Sequence, residues 1–360
     1  MIRNLYGFTP DGLPVSLYRL TNSRGVEVCI TDFGGIVQSI KVPDRQGVMG
    51  DIVLGYDDLE GYLWQTAHFG AVTGRVGNRI SNARFELEGE TYQLCANQGT
   101  DHLHGGPGGF HNVLWAATAI SSDNGEELLL RYLSPDGEEG YPGNLSVEVD
   151  YRLNDDNELV IDYRATTDKA TPINLTHHSY FNLGSAEDVL SHELWIDADQ
   201  FLPVSERLIP TGELRRVDQT AFDFRVPRAI GESIEDDDAQ ITWAGGGYDH
   251  TYVLKPSEDA AEIGEMPSPT LVARVVEPES GRTLEVETTE PGVQFYSGNS
   301  LSPEIVGKGG RAHCRHSGFC LETQHFPDSP NRPEFPSVIL RPGQEYRSRT
   351  VYRFGVDEGG

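Results

Sequence analysis

In "LSVEVDYRL" (145–153), Leu145, Val147, Val149, Tyr151 and Leu153 alternate with Ser146, Glu148, Asp150 and Arg152. Successive side chains of an extended strand point to opposite faces, so the five apolar groups share one side. "NDDN" (154–157) follows and reads as a turn, because short Asn and Asp side chains bond to nearby backbone and tolerate left-handed conformations. "ELVIDYRA" (158–165) resumes as the hairpin partner.

The same period of two recurs on either side. "FELEGETYQL" (85–94) reads as two short strands around Gly89, and "TLEVETTEPGVQFYSG" (283–298) as two strands bent at Pro291-Gly292. Long stripes of 3.6-residue period are missing, and 40 glycines and 21 prolines punctuate the chain as many short strands and turns require. The expected fold is all-β, a large β-sandwich. No proline-rich linker, repeat or break in composition divides the 360 residues, so a single domain over 1–360 is expected. Two acidic stretches, "GESIEDDDAQ" (231–240) and "KPSEDAAEIGEMPSP" (255–269), read as solvated loops.

Asp and Glu number 56 against 28 Lys and Arg, a formal charge of −28. Such a chain is repelled by nucleic acid and by anionic membrane, and neither is expected as a partner. Lys41, Lys169, Lys255 and Lys308 are the only lysines, and an acidic, lysine-poor surface suits a salt-adapted host. Cys29, Cys95, Cys314 and Cys320 are too few for a disulfide framework and wrongly spaced for zinc, so buried thiols in a reducing compartment are expected. The opening "MIRNLYGFTPDG" has no apolar h-region, and no run approaches 18 apolar residues. A cytoplasmic, non-exported chain is the expectation.

Polar side chains are dense in five places. In "GFCLETQHF" (318–326), Cys320, Glu322 and Gln324 share one face of a strand otherwise apolar. A carboxyl there is costly to bury unless it is hydrogen-bonded or functional, and burial raises its pKa toward that of a base working near neutrality. In "LTHHSYFNL" (175–183), Thr176, His178 and Tyr180 lie opposite Leu175, His177 and Ser179. "DHLHGG" (101–106) offers His102-x-His104, a metal-like spacing with no second pair to complete it. "GRVGNRI" (74–80) lacks the order and context of a phosphate loop, and Asn78 beside Arg79 suits sugar hydroxyls equally well. "GGYDHTYVL" (246–254) places Asp249 next to Tyr248 and near Tyr252, where it is either a turn residue or a ligand-binding carboxylate.

Six segments, "GRVGNRI", "LHGGPGGFHNVLW", "PINLTHHSYFNLG", "YDHTYVL", "GVQFYSGN" and "GFCLETQHFPDSPNRPEFPSVILRPGQEY", together resemble the aldose 1-epimerase (galactose mutarotase) family in order and spacing, over essentially the whole chain. The resemblance implies a supersandwich of strands with a sugar cleft, no metal and no organic cofactor. It implies a free monosaccharide as substrate, and a monomer or homodimer. By position, the family's general base falls on Glu322 and its general acid on His178. Sugar-contacting positions fall on Asn78, Arg79, His104, Tyr180, Asp249 and Gln294. The family usually has Asn where this chain has His177, which leaves that residue without an assigned purpose. The activity implied is interconversion of α and β anomers of aldohexoses such as galactose and glucose. A hexose-phosphate epimerase of the same fold would need extra cations, for which Arg75 and Arg84 are candidates. A non-catalytic carbohydrate-binding protein would need neither Glu322 nor His178. A glycoside hydrolase would pair Glu322 with a second carboxylate such as Asp249.

Overall fold

The computed structural model describes residues 1–64, 67–122, 125–255 and 266–358. Its largest element is a nine-stranded antiparallel sheet, in the order Ala116–Ser122, Gly125–Ser134, Leu145–Leu153, Glu158–Thr167, Tyr346–Val356, Arg282–Thr288, Thr270–Val276, Glu193–Ile196 and Arg228–Ala229. The expected hairpin is at its centre, with Val149 opposite Tyr163 and Leu145 opposite Thr167. Leu145, Val147, Val149, Tyr151 and Leu153 are each 0% exposed, as their alternation requires. Burying an aliphatic or aromatic side chain this completely stabilises the fold by about 1.5–3 kcal/mol.

A second antiparallel sheet has five strands, in the order Arg215–Arg216, Gln200–Phe201, Asp249–Val253, Gly292–Tyr296 and Cys320–Gln324. A third, also of five strands, runs in sequence order from Ile2–Phe8 to Met49–Asp51. One cluster of buried apolar side chains draws on all three, with Leu20 and Val28 from the amino-terminal sheet, Val149 and Ile161 from the large one, and Val293 and Leu321 from the second. The bend at Pro291-Gly292 does not close a hairpin. It carries the chain from Arg282–Thr288 in the large sheet to Gly292–Tyr296 in the second. Glycine fits there because an added Cβ at 292 would sit 2.9 Å from Thr251 Cγ2.

Two expectations need correction, and a third falls largely outside the described residues. The stretch 231–240 is not all loop: Asp238 caps the helix Ala239–Trp243 by accepting a hydrogen bond from the Gln240 amide, although Glu232, Glu235, Asp236 and Asp237 are exposed as foreseen. In the second acidic stretch, residues 256–265 lie outside the described residues. Of the four free cysteines only Cys29 and Cys320 are buried; Cys314 is half-buried and Cys95 exposed. Among the described residues no helix is long and apolar enough to cross a membrane.

Candidate active site

Cross-strand register assembles the floor of the site. Glu322 lies opposite Gln294, Cys320 opposite Tyr296, and Tyr296 in turn opposite Asp249. Every residue of Gly292–Tyr296 and Cys320–Gln324 is buried, so these strands are covered on both faces and carry no polar, solvent-facing side. Glu322 is accordingly 2% exposed, and its Oε2 has no hydrogen-bond partner among the described residues.

"LTHHSYFNL" supplies the second wall. Thr176–His177 pairs with Val72–Thr73, the His178 amide donates to the Ala71 carbonyl, and the Gly70 amide donates to the His178 carbonyl. These bonds hold His178 with Nε2 3.7 Å from Glu322 Oε1 and Nδ1 3.5 Å from Cys320 Sγ. Its ring stacks on Tyr180 at 5.0 Å. His177 points the other way, as alternation predicts. Its Nε2 is 2.7 Å from Ser179 Oγ and its Nδ1 3.5 Å from the Tyr151 hydroxyl, inside the core. His177 is a partnered structural histidine.

The third wall comes from the two loops that hold Asn78 and His104, both in the left-handed region at φ 62° and 51°. The loops clasp each other: the Asn78 amide donates to His104 Nδ1 at 3.1 Å, and the His104 amide donates to the Asn78 carbonyl at 3.0 Å. Gly105 is obligatory beside them, since a Cβ there would lie 1.7 Å from the Gly74 carbonyl oxygen. Arg79 Nε donates to Gln98 Oε1 at 2.7 Å, and Nη2 lies 3.5 Å from Asp249 Oδ2. Asp249 opens the strand Asp249–Val253, so it is a wall residue and not part of the preceding turn.

These walls enclose a cavity of about 390 Å³. Seven of the eight residues singled out from the sequence line it: Asn78, Arg79, His104, His178, Tyr180, Asp249 and Glu322. Gln294 is the exception. Its amide donates to Asp249 Oδ1 at 2.6 Å and its carbonyl oxygen accepts from Thr251, so it steadies the wall from behind. The lining also includes His68, Gln98, Tyr296, Asn299 and Ser300, which sequence reasoning did not select. Tyr296, Asn299 and Ser300 fall in or just after "GVQFYSGN", where the signal was present. His68 stands alone in sequence, and only the fold brings its ring within 4.8 Å of His104 and 5.9 Å of His178.

Burial governs the titration of the site. It pushes the Glu322 carboxyl well above the usual carboxylate range; the Asp249 charge pushes the same way and Arg79 opposes. Burial pulls His178 down to about 3, helped by His68 and opposed by a hydrogen bond to its own backbone. His104 is likewise held well below an ordinary histidine, by burial first and then by neighbouring imidazoles. The field therefore favours both catalytic candidates in their neutral forms, Glu322 protonated and His178 bare.

Ligand atoms of His104, His178 and Glu322 lie within 4.8 Å of one another, a spacing a metal ion would accept. The donor chemistry argues otherwise. His104 Nδ1 accepts the Asn78 amide proton, which leaves the ring hydrogen on Nε2. Neither nitrogen then offers a lone pair, and Nε2 is a hydrogen-bond donor suited to a hydroxyl oxygen. The His102-x-His104 pair does not chelate either: His102 Nδ1 is 2.6 Å from the Cys95 carbonyl and Nε2 is 2.8 Å from the Tyr141 hydroxyl.

The proposed phosphate-binding cations are elsewhere. Arg75 is buried, its guanidinium donating to Ser134 and to the carbonyls of Pro135 and Pro142. Arg84 lines a separate open groove. Among the described residues Arg79 is the one Arg or Lys on the cavity wall.

Three β-sheets around one core, with a polar cavity of sugar size and a buried carboxyl beside an imidazole on its wall, define an all-β protein with a small-molecule cleft. Comparison with known proteins makes the class specific. A sequence model of the family described as aldose 1-epimerase matches residues 16–353. The chain is 46% identical to galactose mutarotase of Bos taurus over 357 residues, 98% of either chain. It is 40% identical to aldose 1-epimerase of Escherichia coli K12 over 358 residues, covering 98% of this chain and 99% of the other. Among solved structures, the aldose epimerase homologue from C. elegans superposes with a TM-score of 0.86 at 29% identity, over 95% of this chain and 99% of that one. Galactose 1-epimerase from Lactobacillus acidophilus NCFM superposes at 0.84 with 27% identity, over 99% and 98%. This chain belongs to the aldose 1-epimerase family.

Proposed function

We propose that the protein interconverts the α and β anomers of free aldohexoses, galactose and glucose among them, with Glu322 as general base and His178 as general acid. The observation that carries this reading is the 3.7 Å approach of His178 Nε2 to Glu322 Oε1 on the wall of a polar cavity. Glu322 takes the proton from the C1 hydroxyl while His178 Nε2 gives one to the ring oxygen O5. The C1–O5 bond breaks, the aldehyde turns about C1–C2, and the two groups return their protons as the ring closes on the opposite face. Each positioned acid or base typically contributes ~10²–10⁴-fold.

Proton counting sets what the bound sugar must do. The pair needs one proton in total, on His178 before opening and on Glu322 after it. Burial favours the second arrangement in the empty site, so the sugar's own hydroxyls, together with Arg79, must hold Glu322 ionised at the start. Arg79 and the Nε2–H of His104 are the donors placed to hold sugar oxygens as charge develops on them. A hexose phosphate would meet Arg79 as the sole Arg or Lys on the described wall, already facing Asp249, so the unphosphorylated sugar fits better. A purely binding protein has no use for a Glu322 buried without a partner for Oε2. Four free cysteines suit a reducing cytoplasm.

Polarimetry on freshly dissolved α-D-galactose tests the reading. The expected result is a faster approach to equilibrium rotation than in buffer alone, with no nitrophenol released from p-nitrophenyl galactosides. Rotation drifting at the buffer rate rejects it.

A further inference from the structure

We propose that Cys320 is a positioning residue for His178: its thiol holds the Nδ1 edge of the imidazole, so that Nε2 faces the anomeric centre throughout the reaction. The inference rests on His178 being the acid.

A half-turn of an imidazole about Cβ–Cγ leaves its shape almost unchanged but exchanges each nitrogen with a carbon. Stacking on Tyr180, at 5.0 Å and 26°, fixes the plane of the ring and is indifferent to which edge points where. Only edge contacts distinguish the two orientations. Glu322 meets the Nε2 edge, but it must let go of His178 to bind the sugar hydroxyl. Cys320 Sγ lies 3.5 Å from Nδ1 and binds no sugar oxygen in this mechanism, so it need not let go; the ring's hydrogen bond to its own backbone is the other contact that tells its edges apart. Cys320 and Glu322 are two residues apart on Cys320–Gln324, so one strand face carries both the base and the group that orients the acid.

No proton passes to sulfur. Before ring opening His178 carries hydrogen on both nitrogens, and Nδ1–H donates to Sγ. After Nε2 protonates O5, Nδ1–H remains and the lone pair on Nε2 awaits the proton's return. Burial, then the charges of Glu322 and Asp249, push the Cys320 thiol far above its ordinary pKa, so it does not titrate against His178 in the working range.

The experiment compares wild type with Cys320→Ala and Cys320→Ser by polarimetric kcat and KM, by thermal unfolding, and by ¹⁵N-histidine NMR with His178 assigned from a His178→Asn spectrum. Sulfur is a weak acceptor, so loss of one such bond should lower kcat by about tenfold, with KM nearly unchanged. Cys320→Ser should recover most of the rate. Wild type should show one Nδ1–H tautomer of neutral His178, and Cys320→Ala a mixture. Wild-type kcat and an unmixed tautomer in Cys320→Ala would overturn the proposal. So would equal losses in Ala and Ser variants that track a fall in unfolding temperature, since packing alone would then account for them. A wild-type protein that does not accelerate mutarotation defeats the underlying activity instead, which keeps the two failures apart.

Discussion

The hairpin Leu145–Thr167 and the strand Cys320–Gln324 are both antiparallel β-structure, yet they bury their side chains by different rules. In the hairpin, Leu145–Leu153 alternates with its apolar face sealed, while in Glu158–Thr167 residues 159–163 are all buried and Arg349 grips the buried Asp162 through two hydrogen bonds of 2.6 and 2.7 Å. Asp162 is 5% exposed, and its carboxyl is matched by a guanidinium. Cys320–Gln324 has no wet face; its five residues are 0–3% exposed. The same kind of side chain, a buried carboxyl, is held by an arginine in one and, in the other, faces an imidazole with one oxygen unpartnered among the described residues.

That division can be broken in four ways. The largest effect is expected from Glu322→Gln, which keeps the shape and removes the base. Polarimetric kcat should fall ~10²–10⁴-fold without a matching loss of stability, and retention of kcat would return Glu322 to the structural residues. Second, Ile161→Ala in the hairpin removes a side chain that is 0% exposed. Denaturant unfolding should show a loss of about 2–5 kcal/mol, with kcat per folded molecule unchanged. A parallel loss of kcat would show that the two regions are not separable.

The third concerns acid. Nine of the eleven histidines, His177, His178 and His250 at about 3 among them, are lowered from 6.5 chiefly by burial. In the unfolded chain they bind protons near 6.5, and in the folded one only far below. Stability should therefore decline as pH falls through 6.5. Glu322 and Asp150, both raised mainly by burial, act in the opposite sense over the same range but are outnumbered. His325 also opposes, since the charge and hydrogen bond of Glu290 outweigh its burial and raise it. Urea midpoints at pH 7 and pH 5 measure the net result. A midpoint that does not drop would mean the imidazoles are not held neutral by burial.

The smallest effect is expected from Asp249→Asn. Desolvation is the main force raising Glu322, and the Asp249 charge is second. Without that charge, the basic limb of the pH–rate profile should move to lower pH; a limb that stays put would place the whole shift in burial.

Much of the fold was legible because alternation is a local signal. Residues 145–165 fix a hairpin by themselves, and the side chains at 175–180 separate His177 from His178 by the same rule. The site was legible in pieces. A Glu inside an apolar strand stands out on cost, but its pairing with a histidine 144 positions away came from family resemblance and not from spacing. Other features were hidden because they exist only in three dimensions. His68 joins the cavity through packing between loops. Arg75 looked like a ligand-binding cation, but Ser134, Pro135 and Pro142 supply acceptors that close around it. His102 looked like half of a chelate but is bonded to Tyr141 and Cys95. The upward shift of Glu322 was legible as a carboxyl in an apolar strand, but the lowering of His178 follows from burial among loops that no residue pattern records.

A structure of the protein with galactose bound tests the central claim most directly. The account predicts the Glu322 carboxylate within hydrogen-bond distance of O1 and His178 Nε2 within the same distance of O5, on opposite sides of the anomeric carbon. A sugar seated with both groups on one side of C1, or with its anomeric end turned toward Asn299 and away from them, would contradict it.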